Sequence, residues 1–126
     1  MEKQAPSIAI SVRTAYLPAR SSPDENRYFF AYTVTIRNDG DCHAQLLSRH
    51  WIITDADGNR QEVRGEGVVG QQPVLAPGET FEYTSGTYIS TPIGTMKGNY
   101  QMVASEGRTF DAEIPEFVLS FPRTLH

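Results

Sequence analysis

Apolar and polar residues alternate with a period of two along most of the chain. Ile8, Ile10 and Val12 alternate with Ala9, Ser11 and Arg13. Tyr28, Phe30, Tyr32, Val34 and Ile36 alternate with Phe29, Ala31, Thr33, Thr35 and Arg37. This is the spacing of strands with one face in a core. The second run is long, β-branched and aromatic, which predicts a central strand. Asn38-Asp39-Gly40-Asp41 stops it as a turn. A further run over 43–54 carries Leu46, Leu47, Trp51, Ile52 and Ile53, and Asp55-Ala56-Asp57-Gly58-Asn59 closes it as a hairpin turn. Gln61-Glu62-Val63-Arg64 reads as a short return strand, and Ala76-Pro77-Gly78-Glu79 as a type II turn. Phe81, Tyr83 and Tyr88 mark the next strand, and Tyr100, Met102 and Ala104 another. Phe110, Ala112 and Ile114 mark a third, with Phe117, Leu119 and Phe121 following after Pro115.

Seven or eight short strands result, and the eight prolines and ten glycines leave no uninterrupted amphipathic helix. The fold class expected is all-β, an antiparallel β-sandwich of immunoglobulin-like or fibronectin type III-like architecture. Trp51 is then the core tryptophan between the sheets. Phe29 faces away from Tyr28 and Phe30, so it is either an exposed partner surface or core beneath a covering loop; the second reading is favoured. The polar stretch 18–27 reads as a surface loop. Without an internal repeat or a linker, residues 1–126 read as one domain.

Composition narrows the function classes. Eleven Lys and Arg against fifteen Asp and Glu give a net charge of -4. That balance supplies no basic patch for nucleic acid or an anionic membrane, so neither is an expected partner. No apolar run approaches the roughly 18 residues of a membrane span, so no membrane insertion is expected. Met1-Glu2-Lys3-Gln4-Ala5-Pro6 lacks the apolar centre of a signal peptide. The single Cys rules out an internal disulfide and a Cys-based zinc cage. A cytoplasmic location is expected.

The most conspicuous motif is Gly65-Glu66-Gly67-Val68-Val69-Gly70, which matches G-x-G-x-x-G. No helix follows it, because Pro73 and Pro77 block one, so the dinucleotide-binding context is missing. A weaker form remains: the amides of Gly65, Gly67 and Gly70 as an anion-binding nest, with Arg64 adding charge and Glu66 opposing. The alternative is a bulged segment between strands, with glycine supplying positive φ. Asp55, Asp57, Asn59 and Glu66 fall at calcium-loop spacing, but Arg60 stands where that loop needs glycine, so a hairpin is favoured.

His43, His50 and His126 show no metal-ligand spacing, and in a strand positions 43 and 50 would face opposite sides. No metal site is expected from them, although surface carboxylates are compatible with loose magnesium binding. Cys42 beside His43 is not arranged as a nucleophile–base pair; a small half-buried Cys is expected. Ser85-Gly86 lacks the nucleophile elbow, and no acid–base dyad stands out. No catalytic residue and no cofactor are therefore expected.

Several segments together resemble one family. Arg27-Tyr28-Phe29-Phe30-Ala31-Tyr32-Thr33-Val34-Thr35-Ile36-Arg37-Asn38, Leu46-Leu47-Ser48-Arg49-His50-Trp51-Ile52-Ile53-Thr54-Asp55 and Val63-Arg64-Gly65-Glu66-Gly67-Val68-Val69-Gly70-Gln71-Gln72-Pro73 are similar to ApaG (CorD) family motifs. Leu75-Ala76-Pro77-Gly78-Glu79, Tyr83-Thr84-Ser85-Gly86, Gly98-Asn99-Tyr100 and Ile114-Pro115-Glu116-Phe117 fit as well. The resemblance implies a fibronectin-type sandwich in a bacterial cytoplasmic protein, associated with cobalt tolerance and magnesium efflux. It implies genes close to that of a diadenosine tetraphosphate hydrolase, which makes a nucleotide a candidate ligand. It also implies a protein-contact role, since the same domain occurs in eukaryotic F-box proteins and a DNA-polymerase-interacting protein. No family catalytic residue carries over.

Three expectations follow. The first is a non-enzymatic protein-interaction domain with an unidentified protein partner; an exposed edge strand would also serve a homodimer. The second is a small-ligand sensor binding a pyrophosphate or polyphosphate nucleotide at the Gly65–Gly70 loop, through Arg64, Gly65, Gly67 and Gly70. The third, weaker, is direct binding of a divalent cation.

Overall fold

The computed structural model describes residues 6–122. His126 and most of the stretch read above for a signal peptide lie outside the described residues. Within them run eight strands: β1 (Ile8–Tyr16), β2 (Tyr28–Asn38), β3 (Ala44–Asp55), β4 (Arg60–Glu66), β5 (Val74–Leu75), β6 (Thr80–Ile89), β7 (Ile93–Ala104) and β8 (Thr109–Ser120). All pair antiparallel. One sheet has the order β1-β2-β6 and the other β4-β3-β7-β8, with the short β5 also on β3. This is the sandwich that the period-two pattern predicts, and no described segment is an α-helix.

The core lies between the sheets. Phe30, Val34 and Ile36 of β2 meet Leu46, Trp51, Met96, Tyr100, Met102 and Leu119 of the larger sheet, all nearly or fully buried. Each such side chain contributes roughly 1.5–3 kcal/mol of burial free energy. Trp51 stands edge-on to Tyr32, Tyr100 and Phe117, with ring centroids 5.3, 6.3 and 5.9 Å away. The hydroxyls of Tyr83 on β6 and Tyr100 on β7 meet at 2.5 Å and tie one sheet to the other.

Three details add to the sequence pattern, the second of them bearing out Phe29 as core beneath a covering loop. The residues either side of Pro115 form one strand, β8, with a register shift opposite Met96 and Gly98 on β7. An edge strand accommodates Pro because its outward N–H needs no partner. The stretch 18–27 folds into two 3-10 turns, Pro18–Arg20 and Pro23–Glu25, which cover Phe29 and leave it 8% exposed. Ser21 Oγ accepts the Phe29 amide at 2.8 Å, and the Arg20 guanidinium lies 4.3 Å above the Phe29 ring. Lastly, a bulge between Leu46 and Ser48 resets the alternation of β3. Leu46 and Trp51 are therefore both buried across an odd spacing, and the expectation that His43 and His50 face opposite sides loses its basis. His43 in fact precedes the strand. Cys42 is buried rather than half-buried.

Candidate functional site

The glycine motif occupies the edge of the larger sheet where β4 gives way to β5. Gly67 donates its amide to the Leu47 carbonyl at 2.8 Å. Val68 and Gln71 exchange both backbone hydrogen bonds, at 2.8 and 3.0 Å, and close a two-residue hairpin. Its central residues, Val69 and Gly70, both have positive φ, 43° and 78°. That is the signature of a type I′ turn. The amides of Gly67, Val68 and Gln71 are thus engaged with protein carbonyls. Val68 is fully buried beneath the turn, while Val69 is 59% exposed at its tip.

The structure places Gly70 in this turn and Gly67 just before it, keeps Gly65 in β4 as the register partner of Arg49, and sets Arg64 apart. Arg64 lies opposite His50 on the outward face of β3 and β4, where His50 Nε2 and Glu62 Oε1 are 2.8 Å apart. That bond, ahead of the nearby Arg60, holds the Glu62 carboxyl below its ordinary range despite a burial effect in the other direction. The cation that does reach the glycine motif is Arg49. It lies on the inward face of β3 with Trp51 and Ile53. Its Nη1 donates to the carbonyls of Glu66 and Gly67 at 3.0 and 2.8 Å. Its guanidinium passes over Gly65, where a Cβ would come within 2.8 Å of it. A side chain at Gly65 would push the guanidinium tip aside.

Arg49 also lines a cleft of about 290 Å³ on the side of the sandwich where β4 and β6 end their sheets. Tyr32, Trp51, Gln61, Val63 and Ser85 line it with Arg49. Among the described residues Arg49 has no carboxylate partner. Trp51 is 2% exposed, and its enclosed Nε1 has no hydrogen-bond partner among the described residues. A buried unpaired donor costs about 1–3 kcal/mol. Burial raises the Tyr32 phenol pKa, against the opposing effects of its hydrogen bond with Ser85 and of the Arg49 charge. Burial likewise raises Tyr83 and Tyr100. All three phenols are therefore neutral around neutral pH, and none offsets Arg49. A second cleft, of about 350 Å³, adjoins through Ile53 and Gln61 and adds Arg27, Arg60 and Tyr88.

The calcium-like segment is a closed hairpin turn. Burial favours the neutral form of Asp55, but hydrogen bonds from Asn59, Ser90 and Asp57 outweigh it and lower its pKa. Its two oxygens accept from the amides of Asp57 and Asn59, from Asn59 Nδ2 and from Ser90 Oγ, at 2.9–3.1 Å. Among the described residues no group of three or more His, Cys, Asp or Glu side chains is placed to hold a metal ion. No described helix is long and apolar enough to cross a membrane.

Sequence reasoning fixed on Arg64 and passed over Arg49 and the Trp51 nitrogen. The signal was present as a charged residue two positions before the core tryptophan, in step with it. It was visible only as part of the family motif, since pairing with Gly65 is a register fact.

Comparison with known proteins places this geometry among relatives. A family model for the ApaG domain matches residues 18–104. The chain is 64% identical over 119 residues to Protein ApaG of Thiobacillus denitrificans, covering 94% of each chain. It is 64% identical over 120 residues to Protein ApaG of Nitrosomonas europaea, covering 95% of this chain and 94% of that one. A crystal structure of a Bordetella pertussis protein described as ApaA superposes with a TM-score of 0.91 at 56% identity, over 94% of this chain and 97% of that one.

Proposed function

The chain belongs to the ApaG family, and on that premise we propose that it is a non-enzymatic binding domain. It meets a protein partner along the open side of the sandwich. One observation carries this reading: β4 and β6 each end their sheet on the same side, and residues of both line one cleft. Edge strands present unpaired backbone groups to which an extended segment can add. The cleft between them supplies side-chain selectivity. In this reading the chain is a single cytoplasmic ApaG domain. The association with cobalt tolerance and magnesium efflux, which the family resemblance implies, is exerted through the partner. Some of the side chains that could ligate a cation are engaged internally: His50 with Glu62, Asp39 with Arg37, Asp55 with Asn59 and Ser90.

The test is affinity capture from bacterial extract with the tagged chain. A stoichiometric partner is expected. Gln61→Trp, which fills the cleft, is expected to lose it, and Glu113→Lys on β8 to keep it. Equal capture by both variants, or no partner in any growth condition, contradicts the proposal.

A second reading, a small-ligand sensor for a pyrophosphate or polyphosphate nucleotide at the Gly65–Gly70 loop, has one observation in its favour. Val69 is a β-branched residue held at positive φ on an exposed tip, and such strain concentrates at functional sites. An amide chemical-shift titration with ATP and magnesium tests it. Saturable shifts confined to residues 64–72 support this reading, and none at millimolar nucleotide removes it.

A further inference from the structure

On the side of the sandwich where β1 and β8 meet, the surface carries an apolar groove. Tyr16 at the end of β1, Phe121 just past β8, and Pro18, Pro23 and Pro122 line a space of about 380 Å³. Tyr16 and Phe121 are partly exposed, and the three prolines are exposed. Tyr16 and Tyr28 both stand edge-on or tilted to Phe121, with ring centroids 4.8 and 5.8 Å away. The aromatic wall is therefore braced by its neighbours, with ring surface left open to an occupant.

The walls decide what backbone conformation fits. Pro18, Pro23 and Pro122 have no N–H, and the Phe121 amide is given to the Pro92 carbonyl at 2.7 Å. Four of the five lining residues thus offer no free amide, and the hydrogen-bond ladder that an added β-strand needs does not form here. A polyproline II segment needs no ladder. It has no internal hydrogen bonds, its carbonyls are free to accept, and its rings pack on aromatic side chains. The Tyr16 hydroxyl has no hydrogen-bond partner among the described residues and is available to donate to such a carbonyl.

Charge at the rim decides what flanks the prolines. The 3-10 turn that begins at Pro23 continues into Asp24 and Glu25, both exposed. Among the described residues neither forms an ion pair. The arginines of the same loop are turned to other rings: Arg20 lies 4.3 Å above Phe29 and Arg27 5.1 Å above Tyr88. The uncompensated charge beside the groove is negative, so its complement is a cationic residue.

We infer that this groove receives a proline-rich segment of a partner protein in the polyproline II conformation, flanked by arginine or lysine. Tyr16 and Phe121 pack against its proline rings, and Asp24 and Glu25 meet its cationic end. This is a second surface, on the opposite side from the β4 and β6 edges, and it does not rest on their role.

The experiment titrates the full chain with the blocked peptide acetyl-Pro-Pro-Val-Pro-Arg-Arg-amide and follows the amide signals of Tyr16, Ala19, Asp24 and Phe121. Saturable movement of these signals is expected at millimolar peptide or below. The same peptide with alanine in place of every proline is expected to bind at least tenfold more weakly, and the one with glutamate in place of both arginines at least fivefold more weakly. The double variant Asp24→Lys, Glu25→Lys changes only exposed side chains and is expected to reverse the preference between the arginine and glutamate peptides. Tyr16→Phe, which keeps the ring and loses the hydroxyl, is expected to bind several-fold more weakly. A chain ending at Pro122 is expected to bind as the full chain does. Equal binding of the proline and alanine peptides, or an unchanged charge preference in the double variant, overturns the inference. So does movement confined to β4 and β6, or binding by the shortened chain alone, which would make the chain's own end the occupant. No movement with any peptide overturns it as well, and leaves the capture experiment on the open side unaffected.

Discussion

The guanidinium of Arg49 occupies the space that a side chain on Gly65 would fill. A strand pairing sets this relationship, since Arg49 and Gly65 are register partners of β3 and β4. It accounts for a glycine near the end of β4, where glycine otherwise weakens a sheet, and fixes where the buried edge of the arginine goes.

The three glycines of the motif are therefore not equivalent to substitution. At Gly65 a new Cβ meets only the tip of a flexible side chain, 2.8 Å away. Gly65→Ala is expected to displace Arg49, lose its bonds to Glu66 and Gly67, and cost about 1–2 kcal/mol. At Gly67 the Cβ meets the Gln71 carbonyl oxygen at 2.5 Å and φ is 64°. Gly67→Ala is expected to cost more than about 2 kcal/mol, because backbone must move as well as strain. Gly70 has open space around it at φ 78°, so Gly70→Ala carries the strain alone, about 1 kcal/mol. Urea unfolding of the three variants checks the order, which fails if Gly65→Ala is the most damaging.

Val69 sits at φ 43° in the first central position of its turn, beside Gly70. That position favours Asn and disfavours a β-branched residue. Val69→Asn is expected to stabilise the chain by about 1 kcal/mol, read as a rise in the urea midpoint. A lower midpoint would show that the exposed valine makes an interaction that outweighs its strain.

The Tyr83–Tyr100 hydroxyl pair is a buried link between sheets. Either Tyr83→Phe or Tyr100→Phe leaves one hydroxyl enclosed and unpaired, at about 1–3 kcal/mol each. The double substitution is expected to cost less than the sum of the two. Strict additivity in that cycle would mean the two hydroxyls do not interact.

Acid stability follows from four carboxylates. Arg37 lowers the pKa of Asp39, His50 that of Glu62, and Thr35 with Arg13 that of Glu82. For Asp55, hydrogen bonds from Asn59, Ser90 and Asp57 outweigh burial. Each folded value lies below the unfolded one, so the stabilisation is complete above the unfolded value and disappears as pH falls through the folded value. Stability from these groups is expected to fall once pH drops below the ordinary values of 4.5 for Glu and 3.8 for Asp. Denaturation midpoints across acid pH check it, with Asp55→Asn expected to flatten part of the decline. A midpoint that rises on acidification is the opposite sign.

Much of the fold was legible because alternation is a local property. The run Tyr28 to Ile36 and the hairpin turn at Asp55 to Asn59 announce themselves within a few residues. The continuity of β8 through Pro115 was not legible, because it depends on that residue lying on a sheet edge. The parity of β3 was lost for a similar reason: the bulge after Leu46 leaves no mark in the alternation. The site was half legible. The glycine motif stood out, and its register partner Arg49 did not, since which residue lies beside Gly65 is decided by strand pairing. The unpartnered Trp51 nitrogen arises only from packing, where the ring is enclosed by its neighbours.

The open side as the binding surface is tested most directly by amide hydrogen exchange on the complex recovered by capture. The account predicts new protection at residues 60–66 and 82–88, on the β4 and β6 edges. Protection confined to β1 and β8, on the opposite side of the sandwich, would contradict it.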